Sequence, residues 1–113
     1  MYESLLPVGS VVLLKGARKR VMIIGRIQVM TGDPTVYDYV SCPYPEGLID
    51  TDELYFFNRE DVEAVYFIGF QDPEELQFRA ERLAPLGELY VDESGQIAER
   101  ERAEEPEAAS WGE

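Results

Sequence analysis

The chain has 113 residues, 45% of them hydrophobic and 29% charged, with ten Lys/Arg against 23 Asp/Glu and no histidine. That length and apolar content fit one globular domain and exclude wholesale disorder. The missing histidine removes the commonest general base near neutral pH and the commonest metal ligand, and a single cysteine, Cys42, excludes an internal disulfide or a cysteine-based zinc site.

Taken in chain order, the elements are mainly β. Val11–Leu14 is a short apolar strand, and Lys15–Arg18 is a hairpin turn in which Gly16 supplies positive φ. Val21–Val29 is rich in β-branched residues and forms the second strand. Gly25, at its midpoint, predicts a bend or bulge. Thr31–Pro34 turns the chain into a third strand, Thr35–Cys42, which Pro43 and Pro45 end. Leu54–Phe57 is a fourth strand, and Asn58–Asp61 a single 3₁₀ turn with an N-cap residue followed three positions on by an acid. Ala64–Phe70 is the fifth strand, apolar on both faces, as a central or covered strand requires. Asp72, Pro73, Glu74 and Glu75 open a helix running to about residue 83, with Leu76, Ala80 and Leu83 as its apolar stripe.

Five short strands with a 3₁₀ turn before the last make a mainly β (α+β) fold. The expectation is a five-stranded antiparallel SH3-like small barrel, or a strongly twisted sheet, with one C-terminal helix. Residues 1–91 form the domain, and 92–113 an acidic, disordered tail, because Ile97 and Trp111 are too few anchors to offset the ordering entropy. No apolar run approaches the roughly 18 residues of a membrane span. Met1–Pro7 lacks the basic start and apolar stretch of a signal peptide, so a cytoplasmic location is expected.

Charge is unevenly spread. Lys15, Arg18, Lys19, Arg20 and Arg26 form a basic strip near the N-terminus, whereas most of the acids follow Asp33. A net charge of −13 repels nucleic acid and anionic membranes at long range. A nucleic-acid-binding barrel using Lys15, Arg18, Lys19 and Arg20 is therefore a secondary alternative.

Chemistry is sparse. Glu46, Asp50, Asp52 and Glu53 are the densest acidic cluster, and Asp50–Leu54 begins like a calcium loop. The required glycine and distal glutamate are absent, so a solvated loop is expected. Ser10 and Cys42 have no histidine to activate them, and the glycines form no dinucleotide fingerprint. No catalytic residue, cofactor or metal site is expected. Tyr37, Tyr39 and Tyr44, with Arg26, could form an aromatic platform. Tyr37 and Tyr39 are better read as packing across the sheet, and Tyr44, between two prolines, as an exposed contact.

The ordered blocks Leu5–Gly16 (LLPVGSVVLLKG), Met22–Arg26 (MIIGR), Tyr37–Val40 (YDYV), Tyr44–Gly47 (YPEG), Phe57–Val62 (FNREDV) and Val65–Phe70 (VYFIGF) resemble a bacterial family called domain of unknown function 4176. Its members tend to be encoded beside LXG toxins of the Gram-positive type VII secretion system. The resemblance covers about Leu5 to Phe78 and carries over no catalytic residue. It implies a cytoplasmic, non-enzymatic accessory protein, a chaperone or targeting adaptor for such a toxin. The alternatives are an immunity-type toxin-binding protein and the nucleic-acid barrel. Arg59 stands where the resemblance leads one to expect histidine in many members. Trp111–Gly112 lies in the tail without a helical hairpin, so the chain itself does not resemble a secreted substrate. The partner-binding surface expected is the face of strands two and three, through Met22, Ile24, Arg26, Tyr37, Tyr39 and Tyr44, or an open sheet edge used for strand addition.

Overall fold

The N-terminal hairpin shows how local chemistry sets the register. In the computed structural model, which describes residues 2–100, β1 (Val11–Leu14) pairs antiparallel with β2 (Val21–Val29), Val12 lying opposite Val21. The ladder extends beyond β1: Gly9 N donates to Ile23 O at 2.8 Å, and Ile23 N to Ser10 O at 2.8 Å. Gly9 has φ 97°, a conformation that glycine adopts without steric cost.

β3 (Val36–Pro43) pairs along nearly the whole of β2, and the register shifts between Ile23 and Gly25. This is the bulge expected at Gly25. A Cβ there would meet Val40 Cγ1 at 2.8 Å, so glycine lets the two strands close. The bend leaves Ile27 with φ 58°, which is strained for a β-branched residue. Ile27 packs against the core, which offsets that cost.

β4 (Tyr55–Phe57) adds to the far side of β3, and β5 (Val62–Phe67) adds to β1, giving the order β4-β3-β2-β1-β5. The sheet does not close. Of the two architectures expected, the open sheet is the one formed, with β4 and β5 at its edges. The fifth strand begins and ends earlier than its apolar run suggested and is not a covered central strand.

A 3₁₀ turn at Arg59–Asp61 links β4 to β5, as expected from Asn58 and Asp61, and Asn58 N donates to Asp61 Oδ2 at 2.9 Å. Arg59 clamps this turn. Its backbone N and its Nε both donate to the buried Asp38 carboxylate at 2.9 Å, while its guanidinium lies over the Tyr2 ring.

The helix begins as expected: Asp72 accepts from Glu75 N at 2.9 Å, and Pro73 opens α1 (Pro73–Phe78), which continues as a π-helical turn over Arg79–Leu83. The expected apolar stripe is corrected. Leu76 and Ala80 are exposed, and only Leu83 reaches the core. The helix is instead anchored through Glu75 to Arg26 on β2.

Beyond the helix, β6 (Leu89–Val91) and β7 (Ile97–Glu99) form a hairpin, with Leu86 and Leu89 packed against the core. Of the stretch from residue 92, where a tail was expected, 92–96 turn the chain and Ile97–Glu99 form β7. Residues 101–113, with Trp111, lie outside the described residues.

The core joins Val12, Val21, Ile23, Tyr39 and Phe57 of the sheet to Tyr2, Leu5 and Leu83. Beside it, the fully buried Ser10 hydroxyl donates to Pro7 O at 2.8 Å and accepts from Gly69 N at 2.9 Å. Ser10→Ala leaves the Gly69 N–H buried without its acceptor, so urea unfolding is expected to show a loss of about 1–3 kcal/mol.

Candidate partner-binding surface

One side of the sheet carries Val11, Met22 and Phe67 as cross-strand neighbours, because Val11 lies opposite both Met22 on β2 and Phe67 on β5. At the end of these strands, Tyr44 N donates to Arg20 O at 3.0 Å, which draws the chain after β3 against the start of β2. The result is an open groove lined by Gly9, Val11, Met22 and Phe67, with Arg20, Tyr44 and Tyr66 completing its walls. The Arg20 guanidinium lies 5.6 Å from the Tyr44 ring centre and 5.0 Å from that of Tyr66. Such cation–π placement holds a charged head over aromatic faces at an exposed site.

The groove continues into an apolar edge. Tyr66 is 56% exposed, Phe67 60% and Phe70 78%, with Val65 and Ile68 exposed on the same segment. Isolated exposed apolar residues are ordinary, but a consecutive run on an unpaired edge strand is the pattern of an interaction surface.

The residues expected to bind a partner divide between this groove and the interior. Met22 and Tyr44 meet in the groove. Ile24, the residue passed over at the register shift, is half-buried. Tyr39 is 1% exposed, its hydroxyl accepts from Leu6 N at 2.9 Å, and burial pushes its pKa up. Tyr37 is half-buried, packs on Phe56 at 5.8 Å between ring centres, and donates to Asp33 Oδ2 at 2.8 Å; that hydrogen bond raises its pKa.

Arg26 is likewise turned inward. It donates to both Glu75 carboxylate oxygens, at 2.8 and 2.9 Å, with side-chain exposures of 9% and 14% for the pair. These hydrogen bonds hold the Glu75 carboxyl below the usual glutamate range. Arg26, Tyr37 and Tyr39 therefore tie the fold together, and a partner would have to unfold it to reach Tyr39.

Tyr66 and Phe67 are the surface residues that sequence reading missed, and Arg20 was read only as part of the basic strip. The signal was the run Ala64–Phe70, read as a central or covered strand. Periodicity reports that side chains are apolar, not whether another layer lies over them.

The acidic loop has ordinary structural roles. Asp50 caps the 3₁₀ turn Thr51–Glu53 by accepting from Asp52 N at 3.0 Å, and Glu46 pairs with Lys19 at 2.7 Å. Among the described residues, no group of three or more His, Cys, Asp or Glu side chains is placed to hold a metal ion. Cys42 is buried with a free thiol. No helix among them is long and apolar enough to cross a membrane.

An open five-stranded antiparallel sheet with a short helix, a terminal hairpin and an aromatic groove at one edge defines a small mainly β domain. The family model Domain of unknown function (DUF4176) matches residues 5–78, and the chain belongs to that family. The matched span takes in the sheet and α1, while the β6–β7 hairpin lies beyond it. Nothing among curated proteins or solved structures matches the chain.

Proposed function

We propose that this protein is a non-enzymatic, cytoplasmic accessory protein that binds another protein through the groove of Val11, Met22, Tyr44, Tyr66 and Phe67. Its role in this reading is that of a chaperone or targeting adaptor for an LXG toxin of a type VII secretion system. The toxin enters through the family, whose members are expected beside such toxins. The observation that carries binding is the groove itself, an open, apolar and aromatic surface with Arg20 held between two tyrosines. Tyr, Met and Arg are the residue types enriched at protein interfaces, and they contribute most where they are desolvated together. Three cations of the basic strip are engaged within the chain, Lys19 with Glu46, Arg26 with Glu75, and Arg20 with Tyr44 and Tyr66. That engagement favours a protein partner over a nucleic-acid backbone.

Co-purification of the full chain with the LXG toxin encoded beside it tests this reading. A stoichiometric complex is expected at micromolar concentration. Tyr44→Ala should weaken it by about tenfold or more while leaving the melting temperature unchanged, because Tyr44 lies outside the core. Absence of a complex overturns the adaptor role, and a complex indifferent to both Tyr44→Ala and Met22→Asp overturns the groove as its site.

A further inference from the structure

Acids outnumber bases in this chain by 23 to ten, so a cation on its surface has no shortage of carboxylates to pair with. Lys19, Arg26, Arg59, Arg79 and Arg100 each take one. Arg20 is exposed and has no ion pair and no side-chain hydrogen bond among the described residues. Lys15, Arg18 and Arg82 are unpaired in the same sense, but none of them lines the groove, where Arg20 is the charged lining residue. The rings of Tyr44 and Tyr66 position its guanidinium without neutralising it, and its five N–H donors are left to solvent. The nearby Glu46 carboxylate is already taken by Lys19, at 2.7 Å.

We propose that the groove takes an extended segment of another protein that carries an aspartate or glutamate side chain for Arg20 and a large apolar side chain for the floor of Val11, Met22 and Phe67. This rests on the groove being the binding surface, and it states what the occupant must carry.

Desolvation selects that occupant. Any segment that covers the apolar floor also strips water from the Arg20 wall. A wholly apolar segment would leave the guanidinium covered and unpaired, which is costly, and a basic one would set cation against cation. A carboxylate matches the planar fork of donors, and a guanidinium already placed by two rings loses little freedom in pairing with it. The spacing fits as well. The Tyr44 N to Arg20 O hydrogen bond carries the strand ladder back to Arg20, two positions before Met22. Side chains two positions apart on an extended strand stand on one face about 7 Å from each other, and an extended partner offers the same interval between its acid and its apolar residue. The net charge of −13 opposes an acidic partner at long range, but at physiological salt that field is screened over about 8 Å, whereas the carboxylate meets Arg20 in contact.

The test is selection of a displayed library of random dodecapeptides on the purified full chain. Enriched sequences should join Asp or Glu to a large apolar residue within about two positions. Replacing that acid by its amide in a synthetic peptide should weaken binding to the parent protein by about tenfold or more, a measurement that leaves the protein unaltered. Arg20→Glu should weaken the acidic peptides at least as much, and selection on this variant should enrich Lys or Arg in place of the acid. Arg20 lies outside the core, so R20E should keep the parent melting temperature. The proposal is overturned by no enrichment, by enrichment without an acid, by R20E selecting the same peptides, or by oligouridylate binding the parent more tightly than the peptides do. Toxin binding is a separate readout. A toxin complex lost with Met22→Asp but indifferent to Arg20→Glu leaves the groove standing and overturns the carboxylate, whereas acidic peptides without a toxin complex overturn the adaptor role alone.

Discussion

Gly69→Ala is expected to be among the most destabilising single-methyl substitutions in the chain. An added Cβ would lie 2.3 Å from Val8 O and 3.0 Å from Ser10 N, and both of those atoms belong to backbone. No side-chain rotation relieves the overlap, so one of the two segments must move. Moving either one disturbs the Gly69 N to Ser10 Oγ hydrogen bond and the Ser10 contact with Pro7. Overpacking by one methyl typically costs about 1–3 kcal/mol, and the disturbed hydrogen bond adds to it, so a loss of about 3 kcal/mol is expected in urea unfolding. A loss below about 1 kcal/mol would show that the crossing of the Gly69 segment over Val8 is looser than its contacts imply. Gly16→Ala is a useful contrast, since nothing lies within 4 Å of the added Cβ and only the backbone strain at φ 79° remains.

The second large effect is expected at the Arg26–Glu75 pair, which joins β2 to α1 across 49 positions of sequence. Arg26→Ala removes both hydrogen bonds to a carboxylate that is largely shielded from water, and it also strips the guanidinium from over the Phe78 ring. Breaking one side of a buried pair typically costs about 3–5 kcal/mol. Glu75 retains a second cation, Arg79, at 3.4 Å, so about 2–3 kcal/mol is the expected loss here.

The same pair sets an acid dependence. Glu75 has its pKa depressed in the folded state, first by the Arg26 hydrogen bonds. Its contribution is therefore fully present above the ordinary glutamate value of 4.5 and is lost as pH falls through the lower folded value. Glu75→Gln should be less stable than the parent at pH 7 and should lose less stability on acidification. Parallel curves for the two proteins between pH 7 and pH 3 would exclude Glu75 as a source of acid sensitivity.

Much of the scaffold was readable because it depends on neighbours in sequence. β2 has the limits its β-branched run suggested, the bulge falls at Gly25, and the 3₁₀ turn follows Asn58. Asp72 and Pro73 start the helix. Each of these rests on backbone preferences or capping groups within a few residues. The helix face was misread for a physical reason: spacing makes Leu76, Ala80 and Leu83 a stripe, yet docking follows the ion pair with Arg26, which no local window contains. The β6–β7 hairpin was missed because its strands are three residues each, too short to carry an alternation signal.

For the binding surface, Tyr44 and Met22 were legible as types and positions, and Arg20 as one of a basic strip, whereas Tyr66 and Phe67 were not. An apolar strand has the same sequence whether it is sandwiched or bare. Composition and local pattern alone determined that this chain is an acidic, β-rich domain with no histidine chemistry, since those properties are sums over residues or short-range preferences. Only the tertiary structure decided that the sheet stays open, that Tyr39 and Arg26 turn inward and that β5 lies at an edge. Those outcomes depend on which distant segments pack together, and burial is a property of that packing rather than of any residue by itself.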